Sequence, residues 1–142
     1  MMHALVTGGA GFIGSHLVEW LLADGHRVRV IDNLSTGRLE NLAHLRDRHL
    51  EIHEADVTDL QRVTALCAGV DWVFHLAALA DIVPSIERPL DYYRANVDGT
   101  ASMLEAARAA GVLRFLYAAS SSCYGIPDTF PTPEQAPIRP QY

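Results

Sequence analysis

Short apolar runs rich in β-branched and aromatic residues alternate along this chain with stretches in which apolar side chains return every three or four positions. The runs at His3–Thr7, Arg27–Asp32, Leu50–Glu54, Trp72–Leu76 and Arg114–Ala119 predict five strands. Between them, Ile13, Leu17 and Leu21, with Val18 and Leu22 beside them, predict a helix from Ile13 to Asp24 that Gly25 stops. Leu90, Tyr93, Val97, Ala101, Leu104 and Ala107 predict a longer one over Pro89–Ala110, with proline suited to its first turn and Gly111 to its end. Shorter helices are expected around Leu39–Arg46 and Leu60–Ala68.

Strand and helix in regular alternation require right-handed crossovers, because a tight hairpin cannot join parallel strands. The expected class is therefore α/β, a doubly wound parallel sheet covered on both faces. Ligands of such sheets sit at the carboxyl ends of the strands, so the residues just after each strand are where function is sought. After Ala119 the periodicity ends, and five prolines between Pro127 and Pro140 mark a long loop. No internal repeat and no linker divides the chain, which is read as one domain over residues 1–142.

Composition narrows the functional classes. Of 142 residues 49% are hydrophobic and 20% charged, the profile of a folding domain. The net charge of −6, with scattered basic residues, offers no footprint for a phosphate backbone or an anionic bilayer, so neither nucleic acid nor membrane is an expected partner. Without a charged leader or a long apolar run, the chain is expected to be cytoplasmic. Cys67 and Cys123 have no paired spacing and are expected as buried free thiols. His44, His49 and His53 straddle a turn-to-strand junction that puts no three of them on one face, so no metal is expected.

The strongest chemical signal is Thr7–Gly14, read TGGAGFIG, between the first strand and the first helix. Gly8 permits the sharp bend, Gly11 lets backbone N–H groups approach a pyrophosphate, and Gly14 brings the helix close to the sheet. Asp32 ends the second strand 18 residues after Gly14, a spacing that suits an acid holding both ribose hydroxyls of a dinucleotide. A carboxylate there would repel a 2′-phosphate, so NAD is expected over NADP. Arg38, close by, either softens that preference or is a solvated loop residue.

With further motifs at later strand ends, the chain resembles the extended short-chain dehydrogenase/reductase family, in particular its NAD-dependent epimerase/dehydratase group. The likeness rests on TGGAGFIGSHL at Thr7–Leu17, DNLSTGRLENL at Asp32–Leu42, ADV at Ala55–Val57, HLAA at His75–Ala78, NVDGT at Asn96–Thr100 and SSSCYG at Ser120–Gly125. The resemblance implies a Rossmann-type NAD-binding domain, C-terminally incomplete, with the substrate domain absent from the chain. It implies that Phe12 and Ile13 offer N–H groups to the pyrophosphate. Asp32, Asn33, Ser35, Thr36 and Gly37 would surround the adenosine ribose. Asp56 would accept from the adenine amino group beside Val57. Leu76, Ala77 and Ala78 would floor the nicotinamide ribose, braced by Asn96. Tight packing alone would also account for Ala77 and Ala78. His75 reads as a hydrogen-bonded core histidine rather than an acid or base.

Counting back from Tyr124-Gly125, the resemblance puts the catalytic hydroxyl on Ser120; a serine-rich turn bonding its own backbone is the competing reading. Where similar hexose dehydratases carry Thr-Asp-Glu, Ser120–Ser122 hold no carboxylate, which fits epimerisation rather than loss of water. The family's base is a tyrosine with a lysine four residues on, and the chain has no lysine. That pair is expected beyond Tyr142, so the chain alone is expected to be inactive. The expected activity of the parent is NAD-dependent C4 epimerisation of a nucleotide-diphosphate hexose, such as a UDP-hexose, by a homodimer. A nucleotide-sugar dehydrogenase, reductase or decarboxylase, and a non-catalytic dinucleotide-binding module, are the alternatives.

Overall fold

The computed structural model describes residues 1–45 and 49–141. Five strands, β1 (His3–Thr7), β2 (Arg27–Asp32), β3 (Leu50–Glu54), β4 (Trp72–His75) and β5 (Arg114–Tyr117), form one sheet in the order β3-β2-β1-β4-β5. All four pairings are parallel. The chain moves outward from β1 to β3, then returns to the other side of β1 with β4. This reversal leaves a crevice at the carboxyl ends of β1 and β4.

Helices α1 (Phe12–Ala23), α2 (Leu60–Cys67), α3 (Ile82–Glu87), α4 (Pro89–Tyr93) and α5 (Gly99–Ala110) lie in the crossovers from β1 to β2, β3 to β4 and β4 to β5. Side chains alternate across each strand, so the sheet feeds two cores. Ala4, Val6, Val28 and Val30 pack with Val18 and Leu21 of α1 on one face. Leu5, Ile31 and Val73 pack with Val63 and Leu66 of α2 and Met103 and Ala106 of α5 on the other. Most of these side chains are fully buried, each worth ~1.5–3 kcal/mol of transfer free energy. The doubly wound α/β class expected from the alternation is the class observed.

Polar ties set the ends of elements. Arg29 of β2 donates from Nε to Glu51 Oε2 (2.8 Å) and from Nη1 to the carbonyls of Leu66 (2.6 Å) and Ala68 (3.2 Å), covering acceptors that the end of α2 leaves open. Asp59 caps the start of α2 by accepting from Arg62 N at 3.0 Å. Cys67 lies in the core, where burial pushes its thiol up to about 11. Cys123 is half-buried rather than buried, and both cysteines are free.

Several expected boundaries shift. β4 stops at His75 and β5 at Tyr117, because the following backbone turns away to line a crevice. The expected Leu39–Arg46 helix is a single 3-10 turn at Leu39–Leu42, and its far end at Arg46 lies outside the described residues. The helix over Pro89–Ala110 runs without a break, but residues Arg94–Asp98 widen into a π turn. α3 was not expected: Pro84 falls in its first turn, where the missing N–H costs nothing, and Ile82, Val83 and Ile86 keep helical spacing over a run too short to mark a helix by itself. Among the described residues no helix is long and apolar enough to cross a membrane. No group of three or more His, Cys, Asp or Glu among them is placed to hold a metal ion.

Candidate functional site

A cavity of about 740 Å³ runs along the carboxyl ends of the strands. Its centre is the turn between β1 and α1. Gly8 there has φ +68°, and a Cβ on it would meet Ala77 N at 2.9 Å, so a side chain is excluded by conformation and by the approach of the β4 end. Gly14 belongs to α1, and a Cβ on it would run into Gly8 O and the Cα of Gly9. The helix thus packs on the turn itself rather than on the sheet alone. Gly11, Phe12, Ile13 and Gly14 all line the cavity.

The first α1 hydrogen bond is Ser15 N to Gly11 O (3.0 Å), so the N–H groups of Phe12, Ile13 and Gly14 precede the helical ladder. No side chain caps this end and no acidic residue occupies its first turn. Phe12 and Ile13 are 79% and 69% exposed, unusual for such residues and explained by their place on the cavity wall. An uncapped helix start with its dipole facing an open cavity suits an anion.

Beside the turn, Asp32 at the end of β2 is only 7% exposed. Its Oδ2 accepts from Ala10 N (2.9 Å) and its Oδ1 from Leu34 N (2.8 Å), which fixes the carboxylate on the cavity wall with acceptor capacity left on each oxygen. Leu34 has φ +57°, a left-handed conformation that costs a leucine ~1 kcal/mol or more. The bond from Asp32 and that from Ser35 N to Asn33 Oδ1 (3.1 Å) hold it there. Asn33, Ser35, Thr36 and Gly37 then form the outer wall. Arg38 is exposed and does not line the cavity; its backbone N donates to Ala10 O at 3.0 Å.

Asp56 and Val57 close this end. Burial works to raise the Asp56 carboxyl, but hydrogen bonds from Thr58 N (2.9 Å), Thr58 Oγ1 (2.7 Å) and Asn33 Nδ2 (2.8 Å) outweigh it and hold the group below the usual carboxylate range. Two acids at one end and an open helix start in the middle make a site for a nucleotide with its phosphates.

Leu76, Ala77 and Ala78 line the other end. Their backbone is held by residues that the sequence reading did not single out. Leu76 N and Ala77 N both donate to Thr7 Oγ1 at 3.1 Å. The Thr7 hydroxyl proton is therefore left for His75 Nδ1, 2.8 Å away. His75 Nε2 then carries the ring proton and donates to Thr100 Oγ1 (3.1 Å), which donates to Asn96 O (2.6 Å). His75 is 1% exposed, and burial pushes its imidazole down to about 4. It is the hydrogen-bonded core histidine expected. Thr7 in the glycine motif and Thr100 in NVDGT were legible as motif members, but nothing local paired them.

Asn96 was expected to brace the floor by hydrogen bonds, and it acts on the backbone just beyond it. It is not on the cavity wall; its Oδ1 accepts from Leu79 N (2.8 Å) and its Nδ2 donates to Leu79 O (2.9 Å). Both bonds fall one residue beyond the expected floor, so Asn96 clamps the segment leaving β4. The other fifteen expected cofactor-binding residues all line the cavity. Ser120 does not. It is exposed, and its Oγ accepts from Ser122 N at 3.2 Å, the local turn weighed against a catalytic role. Ala118, two residues earlier, is the β5-end residue on the wall, and Ser121 lines a separate hollow of about 330 Å³ with Tyr124 and Phe130.

Comparison with known proteins agrees with this geometry. A UDP-glucose 4-epimerase of Mycolicibacterium smegmatis is 45% identical over 144 residues, covering 98% of this chain and 45% of that protein. The solved UDP-glucose 4-epimerase of Stenotrophomonas maltophila, with bound NAD and formylated UDP-arabinopyranose, superposes with a TM-score of 0.91 at 33% identity, over 98% of this chain and 43% of that one. A UDP-N-acetylglucosamine 4-epimerase from Methanobrevibacter ruminantium M1, in complex with UDP-N-acetylmuramic acid, gives 0.88 at 36%, over 99% and 44%. The chain thus spans less than half the length of these relatives. The NAD dependent epimerase/dehydratase family profile matches residues 4–142, nearly the whole sequence, and with the glycine turn, Asp32 and the β4 floor converging on one cavity, this chain belongs to that family.

Proposed function

We propose that this chain forms the NAD-binding half of an enzyme that epimerises a nucleotide-diphosphate hexose at C4. The observation that carries the reading is the convergence of the uncapped α1 start, the fixed Asp32 carboxylate and the Leu76–Ala78 floor on one elongated cavity. The residues fit a dinucleotide: Gly8 and Gly14 leave no room for a Cβ where the backbone must stay close, and Asp32 on the cavity wall keeps acceptor capacity for the ribose. Phe12 and Ile13 N–H hold the diphosphate, Asp32 accepts both ribose hydroxyls, and Asp56 accepts from the adenine amino group. When bound, NAD supplies the hydride acceptor and donor for oxidation at C4 and reduction from the other face.

The chain's own residues set the stage for that exchange. The Thr7–His75 pair holds the Leu76–Ala77 backbone as a flat floor, and Asn96 keeps the next residue from lifting. Ser120 is the hydroxyl that exchanges a hydrogen bond with the reacting sugar oxygen, which requires its side chain to leave the Ser122 turn. A tyrosine–lysine base pair, expected by family resemblance, is not supplied by these residues, which contain no lysine. The named relatives act on or bind UDP-sugars, which supports a UDP-hexose as substrate. The exposed Leu90, Tyr93, Val97 and Leu104 along one helix support a homodimer contact, and the free thiols Cys67 and Cys123 agree with a cytoplasmic setting.

The test is calorimetric titration of NAD(H) and NADP(H) into the protein, followed by chromatographic assay of the full-length enzyme with UDP-glucose and UDP-galactose. Tight NAD binding with interconversion of the two sugars is expected. Net accumulation of an oxidised or decarboxylated sugar, or no dinucleotide binding, overturns the reading.

A further inference from the structure

The proposed diphosphate would meet the α1 start on one side, but that end brings only about half a unit charge against one negative charge on each phosphate. The turn itself holds no lysine or arginine. The wall of the same cavity also includes Leu79, Ala80, Arg88, Asp91, Arg94 and Ala95. Arg88 and Arg94 are the cationic side chains among the described residues of this wall. Arg88 closes on Asp91 at 3.7 Å, a loose pair of two half-exposed or more exposed groups. Arg94 is exposed and has no ion pair among the described residues.

Arg94 opens the π turn Arg94–Asp98. Arg94 and Ala95 border the cavity, while Asn96 bonds the backbone of Leu79. A cation held loosely or not at all, lining the same cavity as an uncapped helix start, is a counter-charge available to an anion bound there.

We propose that Arg94, assisted by Arg88, is a binding residue for the dinucleotide diphosphate, sharing it with the α1 start. The inference rests on the dinucleotide reading above. Arg88 is drawn from its loose pair with Asp91 toward the phosphates on binding.

The experiment uses the full-length protein and four ligands: NAD, NADH, adenosine and UDP. In wild type, NAD and NADH bind. In Arg94→Gln their Kd rises about 10- to 100-fold, the usual consequence of losing a charge-assisted contact, and rises further in the Arg88→Gln/Arg94→Gln double variant. Adenosine, which has no phosphate, binds wild type and variants alike, and the slope of log Kd against log salt for NAD becomes shallower. Arg94→Lys restores part of the affinity. Equal NAD affinity in wild type and the double variant overturns the proposal while leaving the dinucleotide reading standing. A matching loss for adenosine makes Arg94 a structural residue and also overturns it. Loss of UDP affinity with NAD unchanged assigns the arginines to the substrate's diphosphate and overturns it. Wild type that binds no dinucleotide overturns both readings.

Discussion

Thr7 and His75, 68 positions apart in sequence, share a buried 2.8 Å hydrogen bond across neighbouring parallel strands. The bond needs a neutral ring, because the Thr7 hydroxyl gives its proton to Nδ1. Burial lowers the His75 pKa from 6.5 to about 4 in the fold. A depressed folded-state value means that the unfolded chain takes up the proton first. Stability is full above pH 6.5 and is lost as pH falls from 6.5 toward 4, by about 3 kcal/mol. Urea unfolding of wild type and His75→Gln across pH 4–8 checks this. The variant should be less stable at pH 7 and should lose less on acidification; parallel pH curves would contradict the assignment.

Gly14 is where α1 rests on the phosphate turn. Gly14→Ala puts a methyl into Gly8 O and the Gly9 backbone, which cannot move away as a flexible side chain would. Overpacking of this kind costs ~1–3 kcal/mol, and here it also displaces the N–H groups offered to the anion. A drop in thermal midpoint together with weaker NAD binding is expected. A variant as stable as wild type with unchanged affinity would show that the turn tolerates a gap between helix and backbone.

On the proposed reading, Asp32 sets the choice of dinucleotide. Its oxygens already hold Ala10 N and Leu34 N, so Asp32→Ala loses both the ribose contact and the tie that keeps Leu34 left-handed. NAD affinity should fall at least tenfold and the preference over NADP should narrow, since a carboxylate no longer faces the 2′-phosphate. Titrating both cofactors into Asp32→Asn separates the effects of charge and shape. An unchanged preference in both variants would remove Asp32 from that role.

Ser120→Ala in the full-length enzyme should lower turnover by ~10²-fold with NAD affinity almost intact, because the hydroxyl lies outside the cavity and on the proposed reading acts on the sugar. Ser122→Ala should matter less. Ser122 offers its backbone N, not its side chain, to the Ser120 turn. Steady-state kinetics beside a cofactor titration decides the point, and full turnover in Ser120→Ala would return this residue to being a turn.

The 142-residue chain by itself should show no epimerase turnover. Removing a proton from a sugar hydroxyl near neutral pH needs a base of lowered pKa, and among the described residues the Ser120 hydroxyl is bonded to no such group, only to Ser122 N. Incubation with NAD⁺ and a UDP-hexose, read by chromatography, tests this. Turnover near that of the full-length enzyme would mean that residues 1–142 already hold the base.

What the sequence determined alone was local. Five strand runs, the helix over Pro89–Ala110 and the TGGAGFIG turn each rest on neighbours within a few positions, where periodicity, glycine and proline act directly on the backbone. Asp32 belongs to this class, because its place follows from counting along one βαβ unit. Tertiary structure decided whatever joins positions far apart. Thr7, His75, Thr100 and Asn96 form one hydrogen-bonded chain only because β1, β4 and the long helix meet at the crevice. Asn96 bonds Leu79 while Arg94 lines the cavity, because the docking of the long helix against the segment leaving β4 decides which of its faces meets the crevice. Leu34 stays left-handed against its own preference because Asp32, fixed on the opposite side by Ala10 N, accepts its N–H. A side chain's partner is a property of three-dimensional neighbourhood, and the sequence states that neighbourhood only where the chain itself brings it within reach.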